Sequence, residues 1–506
     1  VKREPSGAGR IFGGAIFTFG SRLFSGGLRY FTGLAIARLF GAEVYGQFAV
    51  GTVILLVLAT VSGGGAMSGL MGLAAERIET GGRGAAGRAI RICRNRTWGI
   101  ALVAAAILVA IGFLAPGLLG AASAPASFLG IAVSFPFLSV SNVLESGTRG
   151  LKTTRYEVLL RCVVQPVLFL GLLVGLRSAG GTTSLIWFAY AASVATEWVL
   201  AEVVVSRLFP KAPAPEGEAP IALGGNFFHD AAVVAVAGLD LWLVGLLASR
   251  AEAGYYGASV RTVDVVVVLL GSFQMLLAPT FSSLLASGRQ EELPGLAAVL
   301  SRGMYLLALA VGLPLSLGAR EILGFFGPGF PEAAPALALL AVFPVFGALA
   351  APSAAILLLR DPRRLGFVRL SSGLVTALVT IGLWPELRLA APALGAGLGL
   401  LVANGAIVRA VPEGRGALRG VGTIVELLLL PAIPAVAVLG FGPLVDPLPP
   451  WLSLLIRFVA ADALLLATWW LLPGSKEERR ALGKIAADLL RKARERAGTD
   501  RVDGIS

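Results

Sequence analysis

Long apolar runs separated by short, mostly basic breaks dominate this chain. A helix needs about 20 mostly apolar residues to cross a hydrocarbon core. Fourteen stretches meet that length: 11–37, 47–75, 98–119, 126–147, 157–176, 184–206, 226–249, 258–286, 300–318, 334–359, 366–384, 391–408, 420–441 and 450–472. The run at 391–408 is short and Gly-rich. The pattern predicts an all-α polytopic membrane protein with about 14 transmembrane helices. Lys2, Arg3 and Arg10 look like the start of a signal peptide, but the run after them is long and interrupted by Arg22 and Arg29. A signal core is short and uninterrupted, so the segment reads as a retained first membrane helix.

Composition agrees. Of 506 residues, 56% are hydrophobic and 14% charged, against about 25% charged in a soluble domain. Mean hydropathy is +0.82. No segment is polar enough to clothe a soluble domain, which excludes a cytosolic enzyme. The 42 Lys and Arg exceed the 30 Asp and Glu by 12. With the N-terminus inside, 32 of the cations fall on the cytoplasmic side and six (Arg38, Arg177, Arg250, Arg261, Arg320, Arg388) on the other. Arg22, Arg29, Arg161 and Arg457 fall within helices. This asymmetry predicts a multi-pass protein of the cytoplasmic (plasma) membrane with both termini cytoplasmic. It accounts for the basic surplus through topology, with no nucleic acid partner. Cys93 and Cys162 lie on different segments without metal-ligand spacing, and the single histidine, His229, excludes a His cluster. No metal or cofactor is expected.

The Pro-rich stretch from Phe209 to Pro220 follows the sixth helix and divides the chain. The expected organisation is an N-terminal lobe at 1–208, a cytoplasmic linker at 209–225, a C-terminal lobe at 226–408, helices 13 and 14 at 409–472, and a tail at 473–506. A faint repeat relates the lobes: Ala42-Glu43-Val44-Tyr45-Gly46 after helix one, and Ala251-Glu252-Ala253-Gly254-Tyr255-Tyr256-Gly257 after helix seven. In the tail, Ser475 and Glu478 form a capping-box pattern. Leu482, Ile485, Leu489 and Ala493 then share one face opposite Arg480, Lys484, Asp488, Arg491 and Arg494. A basic amphipathic helix on anionic lipids is expected; a solvated tail that only enforces topology is the alternative.

The turn Ala37-Arg38-Leu39-Phe40-Gly41-Ala42-Glu43-Val44-Tyr45-Gly46-Gln47-Phe48 resembles the signature of Wzx-type polysaccharide flippases, of the multidrug/oligosaccharidyl-lipid/polysaccharide exporter superfamily. Gly254-Tyr255-Tyr256-Gly257-Ala258 and Phe325-Phe326-Gly327-Pro328-Gly329-Phe330-Pro331-Glu332-Ala333-Ala334 look like that family's second-half segments. The resemblance implies two six-helix lobes around a central cavity, plus two C-terminal helices. It implies a flippase that moves a polyprenyl-diphosphate-linked oligosaccharide by alternating access. The lipid II flippases of the same superfamily carry an acidic, aromatic-rich segment after the first turn and an Arg-rich end to helix two. Here Gly46-Gln47-Phe48-Ala49 and Ser62-Gly63-Gly64-Gly65-Ala66 stand in those places.

Ionisable groups within a span are functional candidates. Thr18, Arg22, Ser25, Arg29 and Thr32 line one helical face. Arg22 and Arg29 are candidate substrate-binding cations, since a guanidinium fork matches a diphosphate; pairing with a buried acid is their structural alternative. Arg161 is a third candidate, with Glu157 one turn before it as a local partner. In helix seven, Asn226, Asp230 and Asp240 share a broad face beside His229. Asp230 and Asp240 are candidates for proton or sodium coupling; the alternative places Asp230 at the cytoplasmic mouth and pairs Asp240 with an arginine. His229 reads as a packing or gating residue, and Arg261 with Asp264 as a local ion pair. Glu145, Glu197, Glu202, Glu426 and Asp462 receive no role. Two further functions are weighed. A cation-coupled multidrug exporter fits the acids of helix seven but not the cations of helix one. A membrane polysaccharide polymerase or ligase would gather acid/base groups in a sizeable outer loop, and the outer loops here are short and lack His.

Overall fold

The computed structural model describes the backbone of residues 7–151, 153, 155–181, 185–211, 227–286, 288–411, 413 and 421–471. Most of the linker, Asn226 and the amphipathic tail lie outside the described residues. Among these residues the structure is helical, with no strand. The helices are α1 (Gly7–Phe40), α2 (Ala42–Gly63), α3 (Ala66–Leu114), α4 (Pro125–Arg149), α5 (Arg155–Ser178), α6 (Ile186–Leu208), α7 (Phe227–Ala237) and α8 (Leu239–Leu247). They continue with α9 (Arg250–Ala286), α10 (Leu293–Leu317), α11 (Ala334–Ala348), α12 (Ala351–Arg360), α13 (Pro362–Leu387), α14 (Ala390–Ala410), α15 (Val421–Gly440) and α16 (Pro450–Leu471).

Eleven helices among the described residues are long and apolar enough to cross a membrane, or twelve if the pair α7–α8, bent by 44°, is one span. The chain is therefore a multi-pass membrane protein. The expected first and thirteenth spans overlap α1 and α15. Large apolar side chains remain on the outside, among them Leu114, Val436 and Leu471. On a water-soluble protein they would be an aggregation hazard, whereas here they meet lipid.

Glycine sets several boundaries that hydropathy misplaces. The expected second span, 47–75, is broken where Gly64 (φ 55) and Gly65 (φ 84) adopt left-handed conformations. The helix restarts at Ala66, turns again at Gly82 (φ 72), and runs to Leu114 as one element. The expected start of the third span at 98 therefore lies well inside α3.

Within the first half, α4 packs on α2, α3 and α6. Their shared core joins Leu70, Ile90 and Cys93 of α3 to Val140 and Leu144 of α4, with Leu160 and Val205 beside them. In the second half, α13 packs on α14 and α7, and α11 on α10 and α14. The terminal pair α15 and α16 packs on itself and on α10. Arg457 of α16, buried, pins this pair by binding Asp446 and, at 3.4 Å, Glu321. A lipid-depth arginine thus has its charge matched within the protein.

The halves meet chiefly where α2 crosses α9 and α1 packs along α9. At its closest points the α2–α9 crossing brings backbone against backbone. A methyl at Gly46 would overlap the carbonyl oxygen of Arg250, and one at Gly254 would overlap that of Ala42. A methyl at Gly257 would stand 2.8 Å from the Cβ of Ala49. Along the same helix, Val53 and Val50 press on Gly238 and Gly245 of the α7–α8 pair, and the bend falls at Gly238. The two segments of the faint sequence repeat therefore touch each other.

This contact admits no added volume, and overpacking of this kind costs about 1–3 kcal/mol. Gly46→Ala should separate the two helices at this end. Spin labels at Glu43 and Glu252 should report longer distances by electron resonance in Gly46→Ala than in the parent. An unchanged distance distribution would mean that the crossing yields elsewhere.

Candidate functional site

Three segments distant in sequence converge at the α2–α9 crossing. Tyr45 of α2 lies against Phe326 and Phe330, with ring centroids 6.0 and 6.3 Å away. Tyr255 packs on Phe330 at 5.1 Å, and Tyr30 of α1 meets Phe326 edge-on at 5.3 Å. Gly329, at φ 85, lets the Tyr255 hydroxyl pass where a side chain would block it. Polar ties surround this aromatic knot. Arg38 donates to the carbonyl of Phe325 at 2.6 Å, and Arg388 reaches Glu252 at 2.6 Å. This end of the interface between the halves is closed.

Behind the knot lie the charges. Ser25 of α1 is buried and accepts a hydrogen bond from Arg29 at 3.0 Å. Arg29 is solvent-accessible about three turns before the end of its helix. It experiences the charges of Arg161 from α5 and of Arg261 and Asp264 from α9. Arg261 binds Asp264 at 2.8 Å and also contacts the Tyr45 hydroxyl. Tyr190 of α6 lies within reach of the charges of Arg29, Arg161 and Arg261. Arg29 thus stands in the field of two further guanidinium groups from two other helices, while Asp264 pairs with Arg261 and Glu145 with Arg161. A space of net positive potential favours anions.

Arg161 differs from its expected pairing. Glu157 does not hold it; Arg149 of α4 takes both oxygens of Glu157, at 2.7 and 2.9 Å. The reason is local. Pro166 has no N–H and its ring crowds the preceding turn, and α5 widens into a π-helix over Val158–Val164. In a wider turn, residues four apart no longer stack. Arg161 instead approaches Glu145 of α4, with Nη1 to Oε2 at 3.5 Å.

Arg22 and Thr18 lie outside the residues whose side chains are described, so the cationic stripe is seen only from Ser25 to Thr32. Arg261 was read from sequence as a local pair only. That pair exists, yet Arg261 is also the third member of the cationic cluster. Its place just inside the expected span 258–286, though counted with the outer side, was the available signal.

The helix-seven acids separate. Asp240, buried at the start of α8, accepts the Tyr256 hydroxyl at 2.7 Å. The arginine partner considered for it is therefore replaced by a tyrosine. Asp240 and Asp264 line a cavity of about 560 Å³ together with His229, Arg369, Ser372 and Thr376. Asp230 stands in the first turn of α7, half-buried, and is not among the residues of that cavity. The α7–α8 bend and nine intervening residues set the two acids apart. No group of His, Cys, Asp or Glu suited to a metal occurs among the described residues.

With this arrangement in view, the chain was compared with known proteins. No protein-family model and no curated protein sequence matches it. Solved structures do. A lipid II flippase, MurJ, in an inward closed conformation is similar over 92% of this chain and 98% of its own, with 13% identity and a TM-score of 0.64. A multidrug resistance MATE family transporter of the MOP superfamily, inward-facing, is similar over 78% of this chain and 94% of its own, with 13% identity and a TM-score of 0.54. The outward-facing form of such a transporter gives 14% identity, 79% and 94% coverage, and a TM-score of 0.56. The chain shares the polytopic all-α fold of these structures. That fold agrees with the resemblance to the wider superfamily and does not single out the Wzx-type flippases within it.

Asp264 moderates the cluster. Removing its charge in Asp264→Asn should free Arg261 and tighten binding of inorganic diphosphate to the purified protein by about 1.5- to 5-fold, the scale of a partly exposed ion pair. Calorimetric titration reads this directly. Weaker binding in the variant would show that Asp264 organises the cations instead of competing for them.

Proposed function

We propose that the protein is a flippase that carries a polyprenyl-diphosphate-linked saccharide across the cytoplasmic membrane by alternating access, with both termini cytoplasmic. The observation that carries this reading is the convergence of Arg29, Arg161 and Arg261 on one space between the halves. A diphosphate offers several anionic oxygens, and guanidinium forks pair with them bidentately. No bond is made or broken. The helices before the linker and those from α7 to α14 act as the two lobes, and the aromatic knot with its glycine crossing is the gate on the side away from the termini. The tail beyond the last helix holds anionic lipids.

Between cargoes, the similarity to a lipid II flippase supports a lipid II-type saccharide, because it extends over 92% of the chain. The Tyr-Gly turns support a larger oligosaccharide. An exporter of amphipathic cations is disfavoured by the same three arginines, which would repel such a cargo at low dielectric.

Asp240 lies in the second-half cavity and is the candidate for ion coupling; Asp230, set apart from it, is the lesser one. One charge moved through 100 mV is worth about 2.3 kcal/mol, enough to bias the return of an empty cationic carrier.

Arg29→Ala and Arg161→Ala should each cut flipping of a lipid-linked saccharide in proteoliposomes at least about tenfold, the worth of one charged hydrogen bond, at normal membrane abundance. Transport at the parental rate by the Arg29→Ala/Arg161→Ala double variant would remove these residues from the proposal. Asp240→Asn should slow turnover more than it weakens cargo binding. Equal rates for parent and Asp240→Asn, with and without imposed proton and sodium gradients, would make Asp240 structural.

A further inference from the structure

Glu145 of α4 and Glu197 of α6 are each 1% exposed, and their carboxyl groups lie close enough to act on one another's charge. Two ionised carboxylates buried together, with Arg161 as the cation at ion-pair distance, would leave negative charge uncompensated. A proton shared between them removes it. Around the pair, buried polar atoms stand without partners: Oε1 of Glu145, Oε1 of Glu197, Oγ of Ser141 and Oδ1 of Asn142. Ser141 and Asn142 precede Glu145 by four and three residues on α4, so they share its face. Both are more than nine-tenths buried. Orphaned acceptors in native interiors are uncommon and ask for an explanation.

The cation facing this pair is Arg161, held at 3.5 Å from Glu145 by the π-helix of α5. Such widened turns recur at functional sites. The other charged or titratable groups around the pair are already engaged or carry one sign. Glu157 of α5 is bound by Arg149 of α4. From α1, Arg29 adds positive charge; from α6, Tyr190 faces Glu197. On α3, Arg94 is paired with Glu202 of α6. On α2 the titratable groups are Glu43 and Tyr45, near its start. With one proton shared, the carboxyl pair carries a single negative charge that Arg161 balances.

We infer that Glu145 and Glu197 form a proton-binding site of the first half, linked to the anion site through Arg161. When the pair holds one proton, Arg161 is retained by the remaining carboxylate. A second proton neutralises the pair and releases Arg161 to an anion. By linkage, an anion that draws Arg161 away leaves the pair to take up a proton. Anion and proton then enter together, and the buried acids are never left with an uncompensated charge. Only the second partner of Arg161 in this scheme rests on the cargo reading; the shared proton does not.

Two measurements on the intact protein in liposomes decide it. Infrared spectroscopy at neutral pH should show the C=O stretch of a protonated carboxyl, lost in both Glu145→Gln and Glu197→Gln, because the single remaining carboxylate then ionises against Arg161. Inorganic diphosphate should bind the parent more tightly as pH falls, by up to about tenfold per pH unit for one linked proton. Relative to the parent, Glu145→Gln should lose this extra slope, any titration of the probe itself being common to both. Absence of the carboxyl band, a spectrum unchanged in both variants, or an identical pH slope in Glu145→Gln would overturn the proposal. Loss of the band on adding sodium at fixed pH would also overturn it, by making the occupant a metal cation. If the band behaves as expected while diphosphate binds at no pH, the proton site stands and the cargo reading fails.

Discussion

A guanidinium held at bilayer depth must find negative charge, hydrogen-bond acceptors or water, because lipid offers none of these. Most of this architecture can be read as answers to that requirement. Arg457 meets Asp446 and Glu321 and thereby fastens the terminal helix pair to the second half. Arg149 meets Glu157. Arg261 meets Asp264 but remains within the field of Arg29 and Arg161. The first two are settled pairs. The cluster around Arg29 has more positive charge than its neighbours balance, and there the fold leaves something for a ligand to do.

The closed end of the interface depends on the opposite resource, the absence of side chains. Gly46 and Gly254 bring two backbones into contact, and Gly329 admits the Tyr255 hydroxyl. Large aromatic rings then fill the space around them. Without a hydrophobic drive between helices in lipid, such close backbone approach is what van der Waals packing can exploit. A contact of this sort holds when surfaces match and is lost when they move apart by little. That is a suitable property for a gate.

The cavity beside Asp240 and Asp264 lies among helices of the second half. Asp264 both lines the cavity and holds Arg261. Tyr256, which precedes the repeat glycine Gly257, fixes Asp240. The turn that closes the interface and the acid proposed for coupling are therefore only one side chain apart.

Much was legible in the sequence because burial in lipid imposes a length and a composition that few other structures share. Apolar runs located most helices, and the Tyr-Gly repeat marked segments that do touch. Glycine pairs such as Gly64-Gly65 shifted boundaries, since hydropathy does not register a left-handed turn. The ionic partners were decided only in three dimensions. Arg161 was a candidate substrate cation with Glu157 as its alternative local partner on α-helical spacing, yet a π turn accompanies Pro166 and the carboxylate that Arg161 meets comes from α4. Asp240 found a tyrosine, and Glu145 and Glu197, which had no role in sequence, lie side by side. Hydropathy is a property of each segment alone, so the chain itself determined where it crosses the membrane. Pairing depends on which helices become neighbours, and that was settled by packing between segments far apart in sequence.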